Sequence, residues 1–152
     1  MNASNFTLPS LTDYQLQACS WTSPDGAMFL ELPHTIPWYF AAAADTLYAG
    51  IEQAMSAQYD FVINGISAVV DVTGDDETLL QIQWPDGRYL SNPGLPVWDF
   101  IGTGLRGWVL ENPEVIAHGS KVKLNIDNSG NGSNVNLGLF FEGVLRIPMV
   151  QG

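Results

Sequence analysis

Asp127, Ser129 and Asn131 place side-chain oxygens at alternate positions ahead of Gly132, the spacing with which an EF-hand loop wraps calcium around a glycine turn. The second half of that pattern fails. Its twelfth position is Gly138, where a bidentate glutamate is needed, and both flanks read as strands instead of helices. Asn, Ser and Gly are also the residues a tight connection between strands requires, so residues 127–134 read as a hairpin turn. Asn131-Gly132-Ser133, Asn2-Ala3-Ser4 and Asn5-Phe6-Thr7 fit the glycosylation sequon. The first residues lack the basic start and apolar run of a secretion signal, so these read as chance matches.

Other reactive side chains are sparse. Asp71, Asp75, Asp76 and Glu77 could gather a hard cation, but a solvated turn between strands, its charges blunting an edge, is the preferred reading. Zinc asks for at least three nitrogen or sulfur ligands, and Cys19, His34 and His118 show no spacing that would assemble them. Cys19 with either histidine could make a nucleophilic pair, although a lone cysteine more often serves as a small buried apolar group. There is no G-x-S-x-G, phosphate loop or dinucleotide fingerprint. No catalytic, cofactor-binding or metal-binding residue is therefore assigned, and the chain reads as a non-enzyme. A small hydrolase using unrecognised carboxylates is the third-ranked reading.

Aromatic side chains are the remaining candidates. Trp21, Trp38, Tyr39, Trp84, Tyr89, Trp98 and Trp108 fall mainly in or beside predicted loops. Exposed rings of this kind fill a partner's pockets or stack on sugars. Trp84 continues the apolar face of Leu80 and Ile82 and reads as core. Trp38 and Tyr39 follow a proline-rich segment and read as interface, together with Phe6, Leu8, Leu11, Trp21 and Phe29. Tyr89, Trp98 and Trp108 are the alternative, a ligand-stacking set.

Composition narrows the partners. A chain of 152 residues fits one domain with a real core, and at 46% hydrophobic it is unlike a disordered protein. Sixteen acids against five bases give a formal charge of −11, which repels phosphate backbones and argues against nucleic acid. The single cysteine cannot make an internal disulfide, which suits synthesis in a reducing compartment. No apolar run is long enough to span a membrane as a helix.

The elements that must position these residues are strands. Residues 1–37, interrupted by Pro9, Pro24, Pro33 and Pro37, read as an irregular arm, with a short strand over 27–32. Residues 38–152 read as the folded domain. "WYFAAAADTLYAGIEQAMSAQ" scores as helix by propensity, but Leu47, Ala49 and Ile51 alternate, and loop plus strand is preferred. From Tyr59 a period of two dominates, with a phase shift at Asn64-Gly65 that predicts a bulge or kink. Val122, Leu124 and Ile126 share one face, as do Val135, Leu137, Leu139 and Phe141. Several short strands at turn spacing predict an all-β, antiparallel, jelly-roll-like sandwich.

The succession "YDFVINGISAV", "LLQIQWPDGRYLSN", "NPEVIAHGSKVKLNIDNSG" and "VNLGLFFEGVLRI" resembles small jelly-roll proteins of tailed-phage heads, the cement or decoration proteins, and some other head and tail components. It spans Tyr59 to Ile147, about 60% of the chain. The resemblance implies no catalysis and a virion protein on the capsid surface, made in the host cytoplasm. Its partners would be the major capsid protein and sister copies, as a dimer or trimer. The alternative is a carbohydrate- or receptor-binding sandwich of a phage tail, or another head or tail component.

Overall fold

The structure, a computed structural model, describes residues 20–71, 78–101 and 108–149. The described chain forms β1 (Ser20–Thr22), β2 (Met28–Ala42), β3 (Thr46–Ala54), β4 (Asp60–Asp71), β5 (Leu79–Gln83), β6 (Leu95–Pro96), the short helix α1 (Val97–Ile101), β7 (Trp108–Ile116), β8 (Lys121–Asn128) and β9 (Val135–Pro148). Two antiparallel sheets result, a five-stranded one ordered β1-β2-β9-β4-β7 and a four-stranded one ordered β3-β8-β5-β6. The protein is an all-β sandwich.

Alternating apolar residues pack between the sheets, as their period predicts. Val122, Leu124 and Ile126 of β8 and Leu80 and Ile82 of β5 face Leu139 and Phe141 of β9 and Phe61, Ile63 and Ile66 of β4, all 0–1% exposed. Trp84 extends the β5 row and is buried. Val97 and Phe100 of α1 anchor the long glycine- and proline-rich connection from β5 to β7, whose other regular element among the described residues is the two-residue β6. Burying so many branched and aromatic side chains is the main driving force for this fold.

The expected bulge sits at Asn64. Ile63 pairs with Gly143 and Gly65 with Glu142, so one extra residue on β4 restores the apolar phase after the kink. The ambiguous segment resolves as strand: β2 runs to Ala42, and β3 carries a register shift between Tyr48 and Ile51 around Gly50. Gly50 has a positive φ of 66°, so it serves the bulge and would have been costly in a helix.

The expected arm over residues 1–37 does not survive as one unit. Residues 1–19 lie outside the described residues. Residues 20–22 are β1, and residues 28–37 are ten of the fifteen residues of β2. β2 pairs with β9 from Phe29 to Ala42. Pro33 and Pro37 are tolerated because β1 covers β2 only as far as Leu30, so beyond that point the missing N–H groups can face an edge that no described strand pairs. Proline reads as a strand breaker in sequence, and here it marks an edge.

The connection at 127–134 also differs from expectation. β8 and β9 belong to opposite sheets, so the loop between them is a corner crossing the sandwich and not a hairpin. Asn128, fully buried, donates from Nδ2 to the carbonyls of Ala43 (2.8 Å) and Ser133 (3.1 Å), and its Oδ1 accepts from Thr78 Oγ1 (2.7 Å). Asp45 N donates to Asn131 O (2.9 Å), and Ala44 N to Asn134 Oδ1 (2.9 Å). The polar residues thus knot the two crossover corners together.

Asp127 closes the start of this loop by accepting from Ser129 Oγ and, at 3.0 Å, from Ser129 N. These hydrogen bonds, the hydroxyl first, hold its carboxyl below the usual 3.8. A depressed carboxylate stabilises the fold above its unfolded pKa and loses that contribution as pH falls through the folded one. Asp127→Ala is expected to lower Tm by about 3 °C or less at pH 7 and to change nothing near pH 2, as thermal melts at both pH values would show.

Candidate docking face

Neighbouring residues of a strand point to opposite faces, and this divides Trp38 from Tyr39. Trp38 turns inward, 6% exposed, and packs on Phe141 at 6.4 Å between ring centroids. Its expected place at an interface is thereby corrected. Tyr39 turns outward and is 71% exposed.

The outward residues of β2, β9 and β4 form rows across the five-stranded sheet. Tyr39, Gly138 and Val69 make one row, and Pro37, Phe140 and Ser67 the next. Beyond them come Thr35, Glu142, Gly65 and Val109, then Pro33, Val144, Val62 and Val115 across all four long strands. Val69 is 58% exposed, Val109 63% and Val115 51%. Tyr39 meets Phe140 edge-on at 5.9 Å.

Gly138 shapes this surface. A Cβ there would stand 3.3 Å from both the Tyr39 ring and Val69 Cγ2, so its absence leaves a trough between two apolar walls. The trough is a groove of about 590 Å³, with Ala41, Asn136 and Asp71 at one end.

The other sheet shows what a solvated face looks like. Its outward positions on β8 are Lys121, Lys123, Asn125 and Asp127, with Gln81 and Gln83 on β5. Asn125 Nδ2 donates to Gln81 Oε1 (3.1 Å), and Lys121 Nζ pairs with Glu52 at 3.2 Å. Leu47, 64% exposed, is this face's most exposed large apolar side chain, with Ala49 and the half-buried Leu79 beside it. The contrast between the two outer faces is the clearest functional signal in the fold.

At the far end of the five-stranded sheet, Trp21 packs on Phe29 at 5.6 Å. The guanidinium of Arg146 lies 3.6 Å over the Trp21 ring, and its Nε donates to Glu31 Oε1 at 3.1 Å. A cation over an indole and a paired carboxylate fix this cluster where β1 begins. The structure therefore brings Trp21 and Phe29 together and puts Tyr39 further along the same face. Phe6, Leu8 and Leu11 lie outside the described residues.

Of the ligand-stacking set, Tyr89 and Trp108 line one cleft of about 280 Å³ with Arg88, Glu111, Asn112 and Glu114. Trp98, 45% exposed on α1, does not line it. Trp108 also leans on Phe100 at 5.6 Å, and Arg88 pairs with both Asp86 and Glu114. Most of the polar charge in the cleft is thus already engaged within the protein.

The remaining reactive groups are dispersed. His34 meets Phe61 edge-on at 5.8 Å on β2, while His118 contacts Asp60 at 3.2 Å beyond β7. No group of three or more His, Cys, Asp or Glu among the described residues is placed to hold a metal. Cys19, Asp75, Asp76 and Glu77 lie outside the described residues. No protein-family model matches this chain, and no curated protein matches it.

Proposed function

We propose that the protein is a non-enzymatic structural component, a decoration or cement protein of a tailed-phage head that binds the major capsid protein at the virion surface. The observation that carries this reading is the solvent face of the five-stranded sheet, apolar where the opposite sheet is polar. Apolar faces of this extent mark interaction surfaces. The resemblance described above supplies the phage setting. A shell offers many copies of one site, so weak contacts made by each copy sum to stable binding.

The patch of Trp21, Phe29, Val144 and Val115, near the start of β1 at Ser20, is the proposed capsid contact. Co-sedimentation with empty phage shells tests it. Deleting residues 1–19 together with Phe29→Ala is expected to lower occupancy at least tenfold while the melting curve stays cooperative. Deletion through residue 37 is not a fair test, because it removes most of β2. Undiminished occupancy of shells by the variant would sink this reading.

A second reading, a carbohydrate-binding module, is favoured by one observation, the shared cleft of Tyr89 and Trp108. Tyr89→Ala should abolish binding on a glycan panel if that reading holds, and a panel with no binder removes it.

A further inference from the structure

We propose that Asn64 is a site of non-enzymatic modification in the folded protein, cyclising onto the nitrogen of Gly65 and losing its side-chain amide. This site stands apart from the capsid reading.

The chemistry belongs to the dipeptide. Without a Cβ on the following residue, the Gly65 nitrogen can swing close to Asn64 Cγ. It attacks that carbon: the N–Cγ bond forms, the Cγ–Nδ2 bond breaks, and ammonia leaves with the proton that Gly65 gives up. Solvent water then opens the cyclic imide at either carbonyl, which yields aspartate or isoaspartate. No enzyme, metal or oxidant is needed.

The chain has two Asn-Gly steps, Asn64-Gly65 and Asn131-Gly132, and by dipeptide they are alike. The fold separates them. Asn64 is the extra residue of the β4 bulge. On the β9 side Ile63 pairs with Gly143 and Gly65 with Glu142, which leaves no residue opposite Asn64. On the β7 side Ile63 pairs with Glu114 and Gly65 with Val109, so that ladder is interrupted at the same place. A bulge residue outside both ladders keeps more backbone freedom than its neighbours. The Asn64 side chain is exposed, and among the described residues none hydrogen-bonds to its amide. Nucleophile, electrophile and water can therefore meet with little native structure broken.

Asn131 is held in the opposite way. Its side chain is 1% exposed, and its Oδ1 accepts from Ser133 N at 3.0 Å. Its own N donates to Asn128 O (3.2 Å), and its carbonyl accepts from Asp45 N (2.9 Å). Only its Nδ2 lacks a partner among the described residues, which leaves the departing amide unopposed. Turning Cγ onto Gly132 N would still break the Oδ1 bond and shift the corner that ties the two crossovers. This step is protected.

Conversion at Asn64 changes the outer sheet. Either product puts a carboxylate beside the Gly65–Glu142 pair and adds one negative charge to the formal −11. Isoaspartate also adds a backbone carbon to β4 at its bulge.

The test is ageing of the full chain at mildly alkaline pH, folded and, in parallel, unfolded in guanidinium chloride. Peptide mapping by mass spectrometry with electron-transfer fragmentation tells isoaspartate from aspartate at each site. The folded protein is expected to convert Asn64 faster than Asn131 by about tenfold or more, and the unfolded chain to convert both at similar rates. Asn64→Gln keeps an exposed amide but needs a larger, slower-forming ring. It should therefore remove the acidic form that isoelectric focusing shows in aged wild type. Folded protein that converts Asn131 as fast as Asn64 overturns the proposal. So does an Asn64 still intact in the folded chain when the unfolded chain has converted both sites, or an acidic form undiminished in Asn64→Gln.

Discussion

Gly143→Ala is expected to destabilise the sandwich by about 4 kcal/mol, enough to leave little soluble folded protein at 37 °C. The reason is a backbone collision. A Cβ at position 143 would stand 1.7 Å from the carbonyl oxygen of Val62, 2.8 Å from its carbon and 3.1 Å from Cα of Ile63. None of these atoms belongs to a flexible side chain, so relief requires β4 and β9 to part beside the Asn64 bulge. Those two strands carry Phe61, Ile63, Ile66, Leu139 and Phe141 into the core, and parting them would open it. Gly138→Ala is the control, since its Cβ meets only side chains, at 3.3 Å, on the open face. Its cost should stay below about 1 kcal/mol. Urea denaturation of both variants measures the difference. A Gly143→Ala protein as stable as Gly138→Ala would mean that β4 and β9 lie further apart than described.

The bulge behind this prediction was legible in the sequence, because Ile63 and Ile66 break the period of two at a known step. Its glycine partner was not, since nothing local to "FFEGVLRI" says which strand crosses it. The same limit explains the corner at 127–134. Composition distinguishes a turn from a metal loop, but whether two strands pair or face each other is decided by contacts distant in sequence. The apolar outer face had a signal that alternation alone overlooks. Val69-Val70, Phe140-Phe141 and Phe61-Val62-Ile63 put apolar residues on both sides of their strands, which period-two reading assigns to one side only. Trp38-Tyr39 carries the same signal, and because adjacent residues of a strand cannot share a face, only one of the two can reach an interface on the outer face. Proline misled most: in β2 it reports an unpaired edge, and by propensity alone it reads as an arm.

Asn128→Ala is expected to cost about 3 kcal/mol, the second large effect. The side chain is fully buried and ties three separate segments: Thr78 before β5, Ala43 after β2 and Ser133 before β9. Truncation leaves the Thr78 hydroxyl, itself 4% exposed, without its acceptor, and the Ser133 carbonyl without its donor. Ala43 is exposed, so water can replace that bond, which keeps the total below a sum over three partners. Asn128→Asp separates geometry from volume: it keeps an acceptor for Thr78 but sets carboxylate oxygen against two carbonyls, so it should be at least as damaging as alanine. Thr78→Val should cost about 1 kcal/mol alone, and less than that in the Asn128→Ala background because the pair is already broken. A double-mutant cycle by urea denaturation reads this coupling. Full additivity of the two substitutions would show that Asn128 does not hold Thr78. The tie between the two crossovers would then rest on the bonds from Asp45 N to Asn131 O and from Ala44 N to Asn134 Oδ1.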